Sequence, residues 1–320
     1  MLNIFRGIHT GPLPPLSPRQ AYLAQRLRQH VEMLAGVIGE RNCLTHPHNL
    51  DVAAQYVERV FNDAAYLTQS QPYTALSRHK VRNIDAELPG TSKRDEIVLV
   101  GAHYDSIHIP GGGEGGCVGA NDNASGVAAM LEIARTLRLD SFARTVRFVA
   151  FVNEEPPFFQ TDDMGSLVYA RRCRERGENI VAMITPETIG CYSDESGSQT
   201  YPLPLKLIFP NVGNFIAFVG NGASSQLVGK VTELFRRSIA FPAIGFAAPG
   251  WVSQAGWSDH WSFWKCGYPA LMATDTAPLR YRHYHTPQDT PDKIDYDRMA
   301  RVVDGLTQVV DSLATEERPK

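Results

Sequence analysis

The sequence predicts a single α/β domain in which a central mixed, mostly parallel sheet is flanked by helices. Three observations carry this reading. From residue 97 onward, short apolar runs of strand length alternate with segments of helical periodicity. Several of those runs end directly in histidines or acids, the side of an open α/β sheet where ligands bind. No linker-like stretch divides the 320 residues. Residues 1–18 read as an extended, proline-rich lead-in and residues 19–320 as the domain.

Taken in order, Leu23, Leu27, Val31, Leu34 and Ile38 keep helical spacing, and a second helix is expected over 50–61. Strands are expected within 72–90, ending at the turn signal Pro89-Gly90. Nothing in this amino-terminal quarter suggests chemistry. A strand at 97–101 then precedes a helix over 124–138, followed by a strand at 145–152, a helix over 165–176 and a strand at 180–184. Further strands are expected at 205–209, 215–219 and 270–273, with a short segment at 243–247 and helices over 226–238 and 258–266. Met299, Val302, Val303, Leu306, Val309, Val310 and Leu313 mark one face of the last helix.

The chemistry-bearing residues cluster at the strand ends. Strand 97–101 runs into His103-Tyr104-Asp105. The polar run 121–126 opens the next helix and puts Asp122 at its N-cap position. His103 and Asp122 read as metal ligands, with Asp105 behind the histidine to fix its tautomer. Strand 145–152 delivers Glu154 and Glu155, followed by two prolines; one acid can bind metal while its neighbour takes a proton from water. Strand 180–184 leads to Glu187. The stretch 286–289 has capping-box character with proline at the first helical position, which would hold His285 at a helix start. Singly, each residue has an ordinary structural explanation. Jointly they form a mixed nitrogen and oxygen set that suits zinc, and also manganese or cobalt.

Composition narrows the function classes. Net charge is −3, hydrophobic residues make up 43% and charged residues 20%, with no basic block, so nucleic acid is not an expected partner. No apolar stretch approaches the ~20 residues that span a bilayer, and the first residues lack signal-peptide character. Cys43, Cys117, Cys173, Cys191 and Cys266 are scattered without CxxC spacing, which argues against a disulfide framework or a cysteine zinc site. A cytoplasmic, membrane-free protein is the expectation.

The segments GAHYDS (101–106), GANDNASG (119–126), NEEPP (153–157), ETIG (187–190), SDHWSFW (258–264) and YHTPQDT (284–290) stand in order and spacing that resemble metallopeptidase family 28. These are zinc exopeptidases of the bacterial leucyl aminopeptidase and aminopeptidase S and Y type, and the resemblance runs from about residue 20 to residue 315. It implies the zinc-exopeptidase, phosphorylase/hydrolase-like fold. It also implies two zinc ions about 3.5–4 Å apart, bridged by Asp122, with His103 and Glu187 completing one ligand set and Glu155 and His285 the other. Glu154 would be the general base and Asp105 the acid behind His103. The implied substrate is a peptide with a free N-terminus.

The chain departs from the family pattern at two points. Glu187 stands where many members have aspartate. Members with a tyrosine oxyanion donor place it just before the SDH motif, and 250–257 contains none. Asp259 and His260 read as outer structural residues rather than ligands, and Ser258-Asp259-His260 is not a triad because adjacent residues do not align that way. The glycine-rich loop at 111–116 lacks a P-loop ending and reads as a lip over the pocket. Cys117 has no evident histidine partner, and the sequon at Asn123 falls within the site. Trp251, Trp257, Trp261, Phe263 and Trp264 suit either an apolar specificity pocket or core packing. Two rival functions share the fold: a one-zinc glutaminyl cyclase, opposed by the full set of five ligands, and a non-catalytic binding module, opposed by the presence of Glu154.

Overall fold

The structure, a computed structural model, describes residues 7–109 and 116–315. Strands β1 (Thr68–Ala75), β2 (His79–Leu88), β3 (Lys93–His103), β4 (Arg144–Phe151), β5 (Asn179–Glu187), β6 (Ile216–Asn221), β7 (Ala243–Ala248) and β8 (Ala270–Thr274) form one sheet. Their order is β1-β2-β4-β3-β5-β8-β6-β7. The centre, β4-β3-β5-β8, is parallel, β6 and β7 run together but antiparallel to β8, and β2 pairs antiparallel with both β1 and β4.

Because side chains alternate across a strand, each central strand feeds two cores. Val98 and Val100 of β3 and Val146 and Phe148 of β4 face the larger one. It lies beneath α1 (Pro18–Val31), α2 (Pro47–Asp63), α3 (Gly126–Leu137), α5 (Ser225–Ser238) and α8 (Tyr296–Thr315). Leu99, Val149 and Phe151 face the other, under α4 (Gly165–Glu175) and α6 (His260–Lys265). A Cβ at Gly101 would lie 2.4 Å from the Phe151 ring, so the strand that ends in His103 needs glycine there to pack against β4. A third apolar cluster (Phe215, Ala217, Val219, Ile244, Met272) lies on β6, β7 and β8.

Most expected elements are present, and three differ. The first helix continues past Val31 as a wider turn over Glu32–Ile38. Residues 205–209 are not a strand: the N–H groups of Lys206, Leu207, Ile208 and Phe209 bond back to Pro202 O, Pro204 O and Leu205 O, and Leu205–Leu207 is a single 3-10 turn. Residues 286–289 start no helix. Thr286 Oγ1 donates to His283 O at 2.8 Å and accepts Gln288 N at 3.3 Å, but only a turn forms, and it presents His285 with φ 56°. α7 (Ala277–Arg280) is a single short turn before it. Of the glycine-rich lip, residues 111–115 lie outside the described residues.

Candidate metal centre

The strand ends converge as the sheet topology requires. β3 delivers His103, fully buried, and β5 delivers Glu187 from the neighbouring strand. β4 ends one residue before Val152, and Asn153, in the left-handed region (φ 58°), turns the chain so that Glu154 and Glu155 enter the site. The Asp105 carboxylate accepts from the Glu154 and Glu155 backbone N–H groups, each at 3.2 Å, and so clamps this turn to the end of β3. Its Oδ1 is also 3.5 Å from His103 Nδ1.

Asp122 is not a helix cap. It sits in a kinked turn, Ala120–Ser125, with φ −112° and ψ 93°. Asn123 takes the cap acceptor role, its Oδ1 receiving Gly126 N at 3.0 Å. The Asp122 carboxylate faces two histidines instead: Oδ1 is 3.3 Å from His103 Nε2 and Oδ2 is 3.0 Å from His285 Nε2. Glu187 Oε2 lies 3.3 Å from His103 Nε2, and Glu155 Oε2 lies 3.4 Å from His285 Nε2. One carboxylate thus joins two histidine–glutamate pairs. Glu154 stands beside the first pair, its Oε2 3.8 Å from His103 Nε2. His103, Asp122 and Glu155 offer ligand atoms all within 4.8 Å of one another.

Supporting bonds come from residues to which the sequence reading gave no bonding role in the site. Asp289, from the turn after His285, accepts from Asn121 N (2.8 Å), Asp122 N (3.0 Å) and Tyr281 Oη (2.9 Å). Ser258 Oγ donates to Glu187 Oε2 at 2.7 Å, and Asn123 Nδ2 donates to the same oxygen at 3.1 Å. The SDH motif therefore orients a site acid, and no triad forms, since His260 Nε2 bonds Ala255 O at 2.7 Å. Tyr284 stacks on His285 with ring centroids 3.8 Å apart. Motif spacing carries no signal for the Asp289 or Ser258 contacts, which join residues far apart in the chain. Cys117 is fully buried and burial pushes its thiol up, away from the reactive thiolate. Asn123 is buried with its amide fully used, so it is no glycan acceptor.

The electrostatics are those of a site built around cations. Burial pushes Glu154 and Glu155 well above the usual carboxylate range and Glu187 to about 7. Burial opposes ionisation of Asp122 as well, yet the two histidines facing it hold its carboxyl below the usual range. His103 would be lowered by burial, but Glu187 and Glu154 raise it well above the ordinary imidazole value. Among the described residues, His103 Nε2, His285 Nε2 and Glu155 Oε1 are buried without a hydrogen-bond partner. Orphaned nitrogen and oxygen donors aimed at one another fit a divalent metal.

Beside Glu187 and Tyr284 opens an apolar cavity of about 100 Å³, lined by Phe209, Phe215, Val219, Phe246 and Met272 among others. Of the five aromatic residues at 251–264, Trp257 lines it. Phe263 and Trp264 belong to the second core, and Trp251 is exposed.

A mixed α/β sheet with such donors at the carboxyl ends of its parallel strands is the layout of a metallohydrolase. The chain belongs to peptidase family M28, whose model matches residues 83–310. It is 36% identical over 302 residues to the uncharacterized protein YfbL of Escherichia coli strain K12, covering 91% of this chain and 88% of that one. Identity to aminopeptidase YwaD of Bacillus subtilis strain 168 is 27% over 268 residues, 81% of this chain and 51% of that protein. The chain thus spans about half the length of YwaD. The solved structure of BSAP, a zinc aminopeptidase from Bacillus subtilis, superposes with a TM-score of 0.71 at 15% identity, covering 93% of this chain and 96% of that one. The glutaminyl cyclase of Tannerella forsythia superposes at 0.66 with 22% identity, covering 90% and 97%. These two share the fold with this chain. Among the described residues, no helix is long and apolar enough to cross a membrane.

Proposed function

We propose that the chain is a zinc-dependent aminopeptidase that hydrolyses the first peptide bond of peptides with a free N-terminus. The observation that carries this is the division of the Asp122 carboxylate, one oxygen toward His103 and the other toward His285, with a glutamate beside each histidine. His103, Asp122 and Glu187 would hold one ion, and Asp122, Glu155 and His285 a second. Zinc bound there supplies Lewis-acid polarisation of the scissile carbonyl and makes a water acidic near neutral pH.

The remaining chemistry belongs to the side chains. Glu154, assigned to neither ligand set, takes the water's proton and returns it to the leaving amine. Asp105 holds the Glu154 turn in place through its two backbone bonds. The same acidic, metal-rich pocket would hold the substrate's free α-amino group, which selects a free N-terminus. Tyr284, stacked on His285 and bordering the cavity next to Glu187, carries the phenolic donor that 250–257 lacks. The apolar cavity accepts the first side chain.

The test is mass spectrometry of a mixed peptide library incubated with zinc-loaded protein, half of the library N-acetylated. Stepwise loss of N-terminal residues from the free peptides alone is the expected result. Loss of ammonia from N-terminal glutamine peptides without hydrolysis would replace this reading with the cyclase. Equal cleavage of acetylated peptides would remove the α-ammonium from recognition.

A further inference from the structure

The amino-terminal quarter, silent in the sequence, contains a fully buried arginine. Arg41 lies between the helical turn Glu32–Ile38 and α2, and its guanidinium donates only to backbone carbonyls. Nε bonds Tyr104 O at 2.7 Å, Nη2 bonds Gly119 O at 3.1 Å, and Nη1 is shared among Val118 O, Gly39 O and Leu34 O. Tyr104 stands between His103 and Asp105. Gly119 begins the turn that carries Asp122: its carbonyl also accepts Ala124 N at 3.1 Å, and at its φ of +58° a Cβ would lie 2.1 Å from Asp122 O. The Arg41 backbone repeats the link. Its N–H bonds Ser106 Oγ, its carbonyl accepts Ser106 N, and Ser106 Oγ donates to Cys117 O.

We propose that Arg41 is a positioning residue of the metal centre, setting the distance between the strand end that bears His103 and the turn that bears Asp122. The inference rests on the metallopeptidase reading of that site. Among the described residues no carboxylate lies within ion-pair distance of Arg41, so its charge is buried without a contacting counter-ion, an arrangement that apolar filling would avoid. What holds it is the fork itself. A planar guanidinium reaches carbonyls on three separate segments at fixed angles, which a lysine ammonium or a methionine does not. Asp105, Asp122 and Asp289 add long-range attraction from the site side.

Arg41→Lys and Arg41→Met test this, read by cobalt(II) titration of apoprotein through the visible d–d bands, with thermal unfolding and steady-state kinetics in parallel. We expect cobalt affinity at least tenfold weaker with altered bands, kcat reduced in proportion, and KM for a dipeptide within about threefold of wild type. Unchanged cobalt affinity and bands in a variant with a lowered thermal midpoint would make Arg41 a structural brace only and overturn the proposal. If neither variant folds, Ser106→Ala decides: a weaker shift of the cobalt bands supports the link, and unchanged bands refute it. Failure of the wild-type protein to bind cobalt would count against the metallopeptidase reading itself.

Discussion

Glu154 and Glu155 are adjacent, equally buried acids with different partners. Glu155 stands 3.4 Å from His285 Nε2 across from Asp122, whereas Glu154 flanks His103 at 3.8 Å. Glu154→Gln should therefore leave zinc content unchanged while lowering kcat by about 10²–10⁴. Tyr284→Phe, which keeps the stacked ring and removes the O–H, should lower kcat by about 10²–10³ if the phenol stabilises the oxyanion. Metal analysis beside kinetics checks both, and zinc lost from the Glu154 variant would move that residue into a ligand set. The candidate donors stand out in the chain because each closes an apolar strand or a short polar motif. The two roles proposed for Glu154 and Glu155 come from the family resemblance, since adjacent acids look alike until the chain turns at Asn153.

Helix α1 is tied to α3 by a buried polar cluster. Glu132 Oε1 accepts from Arg26 Nε at 3.2 Å and lies 3.0 Å from His30 Nε2, and its Oε2 accepts from Arg135 Nε at 2.8 Å. Burial alone would raise the Glu132 carboxyl, but His30 and Arg135 hold it at about 2. A folded-state value below the unfolded one stabilises above about pH 4.5 and loses that contribution as pH falls toward 2, a span of about 3 kcal/mol. Glu132→Gln should be less stable than wild type at pH 7 by an amount of this order, and the gap should shrink between pH 4.5 and 2. Urea denaturation along the pH axis measures it, and a constant gap would rule out the ionised carboxylate as the source. At this scale periodicity found the helices, and its failures were chemical. The N–H groups of 206–209 are spent on turn bonds back to Pro202, Pro204 and Leu205 rather than on a ladder, and Asp289 was drawn away from a capping role by the Asn121 and Asp122 amides.

For the whole molecule, several buried carboxylates share one site, so the metal-free protein holds protons there or keeps their mutual repulsion, and a bound cation offsets both. Removing metal with a chelator should abolish peptidase activity and lower the thermal midpoint. Zinc at 100 times its Kd should restore stability by about 2.7 kcal/mol. Differential scanning calorimetry with and without zinc is the measurement, and a midpoint indifferent to metal would mean that the cluster is not held together by a cation. The cavity floor on β6, β7 and β8 belongs to this scale too. Its residues come from three strands and several loops, so no single stretch of sequence resembles a pocket.

Fold class and candidate donors were readable along the chain because both are local. Strand and helix periods follow from backbone geometry within about a dozen residues, and a histidine or acid that ends an apolar run needs no distant partner to be noticed. Arg41 against Gly119, Asp289 against Asp122, and Ser258 against Glu187 are different in kind. They join segments 71 to 167 residues apart, and a backbone partner, the Gly119 carbonyl or the Asp122 N–H, leaves no trace in the side-chain pattern. Only when the sheet brings the carboxyl ends of β3, β4 and β5 together do these bonds form, and with them the spacing that lets one aspartate face two histidines.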